Sequence, residues 1–477
     1  MRAPSTYPRF AHAFTQALVR RHANRARGLP PGPEGLPVLG SMLEVHTDVL
    51  SLFVRGMHEY GDTVRFRFGP FDLVMIHRPE DIRTVLLERA DEFHKSPTYQ
   101  GLRLVVGDGL LTSEGEFWRR QRKLMTPAFH HKRLVGFCET MVQCASDCAD
   151  DWGALVRDRG EDVVIDLHEQ MLALTFRIVG LTLFSTELSD KASGMGPALE
   201  TVLDHANYVA TSMLLAPPPW VPTPRNRRFR EALAVVDDVV LGIIGERRRT
   251  GEDTGDLLSM MMAASDETGE VRMTDAELRD EVATLVLAGH ETTAQALTWT
   301  FMLLSRHPEV ERRVVAEIRE VCGDRRPSFE DLKALEYTGR VIDESMRLYP
   351  PAWLFERQAQ VDMELGGYTI PAKTLIAVSP WALHRHPGHW ENPEGFDPDR
   401  FEREVPRYTY LPFGGGPRQC IGVNFALYEA KLVLATLLQR YSLALVPGQD
   451  LTPDAAVTLR PSHGMKMGLR PRVRDRA

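Results

Sequence analysis

The sequence predicts a mainly α-helical fold with a small β-sheet region, and three features carry that expectation. Thr274-Asp275-Ala276-Glu277 has capping-box spacing and opens a helical pattern that runs to about Arg306, just before His307-Pro308. Two strand-like runs, Thr63 to Phe68 and Leu73 to Ile76, flank a Gly69-Pro70 turn. A glycine-rich stretch, Phe413 to Gly422, delivers Cys420 to the head of a helix expected from Val423 to about Arg440.

At 477 residues the chain is long enough for several domains, yet no flexible linker divides it, so one domain is expected over residues 29–477. Residues 1–28 form a basic arm: Arg2, Arg9, Arg20, Arg21, Arg25 and Arg27 occur with no acidic residue among the first 27. A loose arm is the expected reading, with an organelle transit peptide or a membrane-resting segment as alternatives. Leu29-Pro30-Pro31-Gly32-Pro33 breaks any helix and starts the ordered body. The net charge of −8 argues against a nucleic-acid partner. No run of about 20 apolar residues offers a transmembrane helix. Five cysteines without a paired framework suggest a reducing compartment, and Cys144 and Cys148, sharing a helix face, read as packing thiols ahead of a redox pair.

A helix is expected around Leu50 to Tyr60, ahead of the two strands. Ser96 to Glu114 reads as an irregular stretch whose apolar Leu102, Leu104, Val105, Val106 and Leu110 face inward, towards a pocket or the core. From His168 to about Glu246 the pattern is helical, interrupted by Ala216-Pro217-Pro218-Pro219-Trp220. A helix carrying Glu344 and Arg347 ends at Pro350, and a Gly366-Gly367 hairpin and a strand from Leu375 to Ser379 complete the small sheet.

The chemistry centres on Cys420. Glycine lets the loop backbone take positive φ and approach a flat ligand, Pro417 stiffens the turn, and a nearby helix N-terminus favours a thiolate. A metal-ligand loop is the preferred reading. A zinc site lacks a second ligand at the right spacing, a dinucleotide loop would need glycine where Gln419 stands, and a buried structural thiol would not sit among glycines and an arginine. In the long helix, Leu285, Ala288, Gly289, Thr292 and Ala296 make one unusually small face, suited to a broad flat group or to close helix packing. Trp118 and Arg122, four apart, place an indole N–H and a guanidinium together as donors for a carboxylate. Arg119, Arg120 and Lys123 beside them are either solvated or part of a basic docking surface.

The Cys420 stretch resembles the haem loop of the cytochrome P450 family, F-x-x-G-x-R-x-C-x-G, at Phe413, Gly416, Arg418, Cys420 and Gly422. Ala288-Gly289-His290-Glu291-Thr292-Thr293 matches that family's A-G-x-[DE]-T-[TS] motif, and Glu344 with Arg347 matches its E-x-x-R pair, whose third partner corresponds to Arg400. The resemblance, from about residue 29 to the C-terminus, implies a cytochrome P450 fold enclosing one haem b between the long helix and the loop, with Cys420 as iron ligand. Trp118, Arg122 and Arg357 are then haem-propionate ligands, Ala288 and Gly289 haem neighbours, and Thr292 and Glu291 the catalytic proton donor and relay for dioxygen. Glu344, Arg347 and Arg400 form a structural ion network, and His290 is structural.

The implied activity is monooxygenation of a lipophilic small molecule, a terpene or fatty acid, within a pocket of Leu102, Val105, Val106, Leu285, Ala352, Trp353, Leu354 and Val457. The region from residue 168 to residue 246 would be its mobile lid. Electrons are expected from a separate ferredoxin and ferredoxin reductase, because little chain follows the last strands. A cytoplasmic bacterial monomer is expected. Peroxide isomerisation by a haem-thiolate lyase and haem sensing are the alternatives, and the Glu291-Thr292 pair speaks against both.

Overall fold

The computed structural model describes residues 28–472 except 161–162, 189–193, 213–215 and 264–272. The basic arm lies outside the described residues but for Gly28. The principal helices are α1 (Met42–Tyr60), α2 (Gln100–Val106), α3 (Gly115–Met125), α4 (His131–Arg159), α5 (Leu167–Phe184) and α6 (Met195–Ser212). They continue with α7 (Pro224–Thr250), α8 (Leu257–Ala263), α9 (Asp275–Arg306), α10 (Pro308–Cys322), α11 (Glu336–Leu348) and α12 (Val423–Leu438). No helix among the described residues is long and apolar enough to cross a membrane.

The long helix α9 forms with the ends its sequence encodes. Thr274 Oγ1 accepts from the Glu277 N–H at 3.2 Å, and the Thr274 N–H donates back to Glu277 Oε2 at 2.7 Å, completing the capping box. Pro308 begins α10, so the chain turns at His307. Most of α9 is buried, because α5, α7, α11 and α12 pack around it and join one large apolar core. It is the central post of the fold.

Strands β1 (Thr63–Phe68), β2 (Phe71–Ile76), β3 (Phe93–Lys95), β5 (Phe355–Ala359) and β8 (Leu375–Val378) form a five-stranded sheet in the order β1-β2-β8-β5-β3. Gly69, at φ +58°, makes the β1–β2 turn. Smaller sheets pair β4 (Val163–Asp166) and β9 (Tyr441–Leu445) with β12 (Lys466–Pro471), β6 (Met363–Leu365) with β7 (Tyr368–Ile370), and β10 (Pro453–Ala455) with β11 (Leu459–Pro461).

Three local expectations are revised. Helix α1 starts earlier than expected and bends at Asp48, whose φ/ψ of −161°/70° leaves the helical region. The stretch from residue 96 to residue 114 is not irregular throughout, since Gln100–Val106 forms α2. Gly101 permits this, as a Cβ there would lie 2.2 Å from the Ala206 carbonyl oxygen of α6. The third revision concerns Val105 and Val106. They are expected in the pocket, but helix formation turns them into the core, where they are 1% and 0% exposed.

All five cysteines are free. Burial pushes the Cys144 thiol up to about 11 and the Cys148 thiol up to about 12, so both stay protonated packing groups.

Candidate active site

A cavity of about 520 Å³ lies between α9 and the Cys420 loop. The loop is held by its backbone: the Cys420 N–H donates to the Phe413 carbonyl at 3.0 Å, and Gln419 N–H to Gly416 at 3.1 Å. Gly414 and Gly416 sit at φ +68° and +66°. A Cβ on Gly416 would fall 1.8 Å from the Leu86 carbonyl oxygen. Gly416 is thus a packing and turn residue that does not reach the cavity wall, contrary to its expected cofactor contact. Phe413, Arg418, Cys420 and Gly422 do line the wall. Behind the loop, His384 Nε2 accepts from the Leu411 N–H at 2.9 Å, anchoring the approach to it.

The Cys420 thiol opens onto the cavity. Its surroundings push its pKa up through desolvation, while the Gly422 N–H and the Arg122 charge pull it down. The balance remains upward, so proximity to a helix N-terminus does not by itself make the thiolate, as the sequence had suggested. A bound metal ion would supply the missing stabilisation.

The edge of the cavity beside the loop is strongly cationic. Strands β3 and β5 place Lys95 opposite Arg357, and Arg418 stacks on the Trp118 ring with its guanidinium carbon 3.9 Å from the centroid. Arg418 also pairs with Glu114. Burial and the neighbouring Arg357 and Arg418 charges hold the Lys95 ammonium well below its ordinary pKa, and burial brings Arg418 down to about 10. Trp118 Nε1 and the Arg122 guanidinium have no hydrogen-bond partner among the described residues. Clustered cations and unused donors around an open space constitute an anion site, suited to carboxylates. Lys95 was missed in the sequence, because only the β3–β5 pairing brings it beside Arg357. By contrast Arg119 pairs with Asp91 and Glu116, and Arg120 with Glu277, so these charges are already engaged.

Helix α9 forms the opposite wall. Leu285, Ala288, Gly289, Glu291, Thr292 and Ala296 all reach the cavity. Thr292 Oγ1 donates to the Ala288 carbonyl at 2.7 Å. Glu291 is buried and accepts from Thr458 Oγ1 at 2.8 Å, and burial raises its pKa. Gly289 has a second cause: a Cβ there would approach Val179 Cγ2 of α5 to 2.9 Å, so close helix packing accounts for its missing side chain. His290 is buried, with Nδ1 2.9 Å from the Val286 carbonyl oxygen, and lies outside the lining.

Leu102, Ala352, Trp353, Leu354 and Val457 complete an apolar upper chamber with Leu285. Trp353 is fixed by its indole N–H to the Ala456 carbonyl at 2.9 Å. Beneath the site, Glu344 pairs with Arg347 at 2.6 Å and with Arg400 at 3.2 Å, Glu344 and Arg347 both without exposed side-chain surface.

The residues present fit haem b. A flat iron macrocycle carrying two carboxylates calls for a side chain able to ligate the metal and for cationic donors, and the cavity offers both in Cys420 and the cluster of Lys95, Arg122, Arg357 and Arg418. The sequence profile of the cytochrome P450 family matches residues 30–467. Cyclooctatin synthase of Streptomyces melanosporofaciens is 38% identical over 454 residues, 94% of this chain and 96% of the relative. Cyclooctat-9-en-7-ol 5-monooxygenase of the same organism is 39% identical, over 88% of this chain and 90% of its own. Pentalenene oxygenase of Streptomyces avermitilis is 35% identical, over 92% and 97%. The Cys420 loop, the cationic edge and this near full-length similarity lead to one assignment: the chain belongs to the cytochrome P450 family, as a monooxygenase whose cofactor is haem b.

Proposed function

We propose that this monooxygenase hydroxylates a terpene, with Cys420 as the iron ligand. The carrying observation is that one cavity combines a cationic edge beside the thiol with a largely apolar lining along α9. Bound haem b supplies the activation of dioxygen and the oxidation of the C–H bond. The chain's part is to bind, orient and deliver protons. Trp118, Arg122, Lys95, Arg357 and Arg418 are the residues that would hold the propionates, by charge-assisted hydrogen bonds. Thr292 places its hydroxyl at the cavity wall, donating to the Ala288 carbonyl, and Glu291, its pKa raised by burial, accepts from Thr458 Oγ1 beside it.

The apolar chamber excludes water and receives a lipophilic skeleton. Relatives named for cyclooctat-9-en-7-ol and pentalenene favour a terpene over a fatty acid. Electron supply by a separate ferredoxin is part of the proposal. The test is reconstitution of the purified protein with haem b, a ferredoxin, its reductase and NADPH, followed by mass analysis of products from terpene and fatty-acid panels. A terpene product bearing one added oxygen supports the reading. Conversion of fatty acids alone overturns it.

A further inference from the structure

The upper chamber contains few polar groups, and almost all of them are spoken for. Thr284 Oγ1 donates to the Asp280 carbonyl at 2.7 Å, Thr292 Oγ1 to Ala288 at 2.7 Å, and Thr211 Oγ1 to Asn207 at 2.9 Å. Thr458 Oγ1 is held by Glu291 at 2.8 Å. Asn207 differs. Its half-buried side chain lines the cavity from α6, and although its backbone carbonyl accepts from Thr211, neither its side-chain NH₂ nor its side-chain oxygen has a partner among the described residues.

Once a ligand fills the cavity and displaces solvent, an amide left without a partner would cost about 1–3 kcal/mol, so a bound skeleton that offers it an oxygen is favoured over one that does not. The position of Asn207 is also fixed. Helix α6 packs on α2 and α7, and Gly101 of α2 lies close against the Ala206 backbone, one residue before Asn207. An anchored side chain with two donors and one acceptor is suited to a hydroxyl, which can both accept and donate, or to a carbonyl, which accepts.

We infer that Asn207 is a specificity residue that hydrogen-bonds an oxygen already present on the terpenoid substrate. The enzyme therefore acts on a terpene alcohol or ketone in preference to the bare hydrocarbon. In a reaction sequence it follows a step that installs that oxygen, either an earlier oxygenation or a cyclisation terminated by water. This inference rests on the terpene reading above and narrows it.

The experiment titrates the haem-loaded full chain with two matched pairs, cedrol with cedrene and abietadienol with abietadiene, and with palmitic acid. Binding is read from the Soret spin-state shift and, independently of the haem spectrum, from the ligand-induced rise in Tm. Wild type is expected to bind the alcohol of at least one pair roughly five- to tenfold more tightly than its hydrocarbon, the span of a single hydrogen bond. Asn207→Leu should bring that ratio near one by weakening the alcohol and not the hydrocarbon. Asn207→Ser, a smaller change that keeps one hydroxyl, should retain part of it and guards against a Leu variant that fails to fold. A ratio near one in wild type, or one unchanged in both variants, overturns the role of Asn207 and leaves the terpene reading standing. Response to palmitic acid with none to the four terpenoids overturns both.

Discussion

Glu344→Gln removes a charge from the most deeply buried ion network while leaving side-chain shape nearly unchanged. Arg347 donates through Nε to Glu344 Oε2 at 2.6 Å and through Nη2 to Oε1 at 2.8 Å. Its remaining donors reach the carbonyls of His384 at 2.9 Å, Pro393 at 2.6 Å and Gly395 at 2.9 Å. Glu344 also accepts from the Asp397 N–H at 2.8 Å, so the pair ties α11 to the segment leading to the Cys420 loop. With the carboxylate gone, the guanidinium keeps its carbonyls and loses its countercharge in a site without exposed surface. Breaking one side of such a pair costs about 3–5 kcal/mol, a large share of the 5–15 kcal/mol typical of a folded protein. Arg313→Ala is the control. Its pair with Asp399 is about half exposed, and loss of such a pair costs less than about 1 kcal/mol. Urea unfolding followed by far-UV circular dichroism, with haem content measured in parallel, compares the two. An Glu344→Gln midpoint no lower than that of Arg313→Ala would refute the claim that this network holds the base of the site.

Further outcomes follow from single contacts. Burial lifts the Glu281 carboxyl from its ordinary 4.5 to about 7. The folded state then binds the proton more tightly, so the stability contributed is complete below about pH 4.5 and is lost as pH rises towards 7. Glu281→Gln should flatten this slope and raise stability near pH 8 by at most about 3 kcal/mol, whereas parallel Tm–pH curves for the two proteins would contradict the burial argument. Gly416→Ala forces a Cβ into the Leu86 carbonyl at positive φ and should abolish stable haem retention, which haem absorbance per protein reads directly. Gly289→Ala gains about 1 kcal/mol of helix propensity but crowds Val179. Adding Val179→Ala should therefore relieve whatever stability the single variant loses, and an absence of coupling in the double-mutant cycle would return Gly289 to a purely cavity-facing role. Thr292→Val should keep substrate binding and lower product formed per NADPH consumed, an outcome that measured coupling efficiency checks.

The parts written locally were legible in the sequence. The ends of α9 are set by a capping box and a proline, so Thr274 and Pro308 announce them without tertiary information. The Cys420 loop is equally local, because its turn depends on glycine conformations within ten residues. Legibility fails where tertiary packing decides. Val105 and Val106 are apolar in an apolar run, and only the formation of α2 determines that they enter the core while Leu102 faces the cavity. Gly289 is a helix-interior glycine for either of two reasons, and the neighbour that matters, Val179, lies more than a hundred residues away in the chain. Lys95 carries no local signal, since its partner Arg357 arrives by long-range strand pairing.

The most direct test of the central claim is the carbon monoxide difference spectrum of the dithionite-reduced, haem-loaded protein, recorded for wild type and Cys420→Ala. Thiolate ligation by Cys420 predicts a strongly red-shifted Soret band in wild type that is lost in the variant while its fold is retained. A folded, haem-loaded wild type lacking that band, or a Cys420→Ala protein that keeps it, would contradict the assignment of Cys420 as the iron ligand.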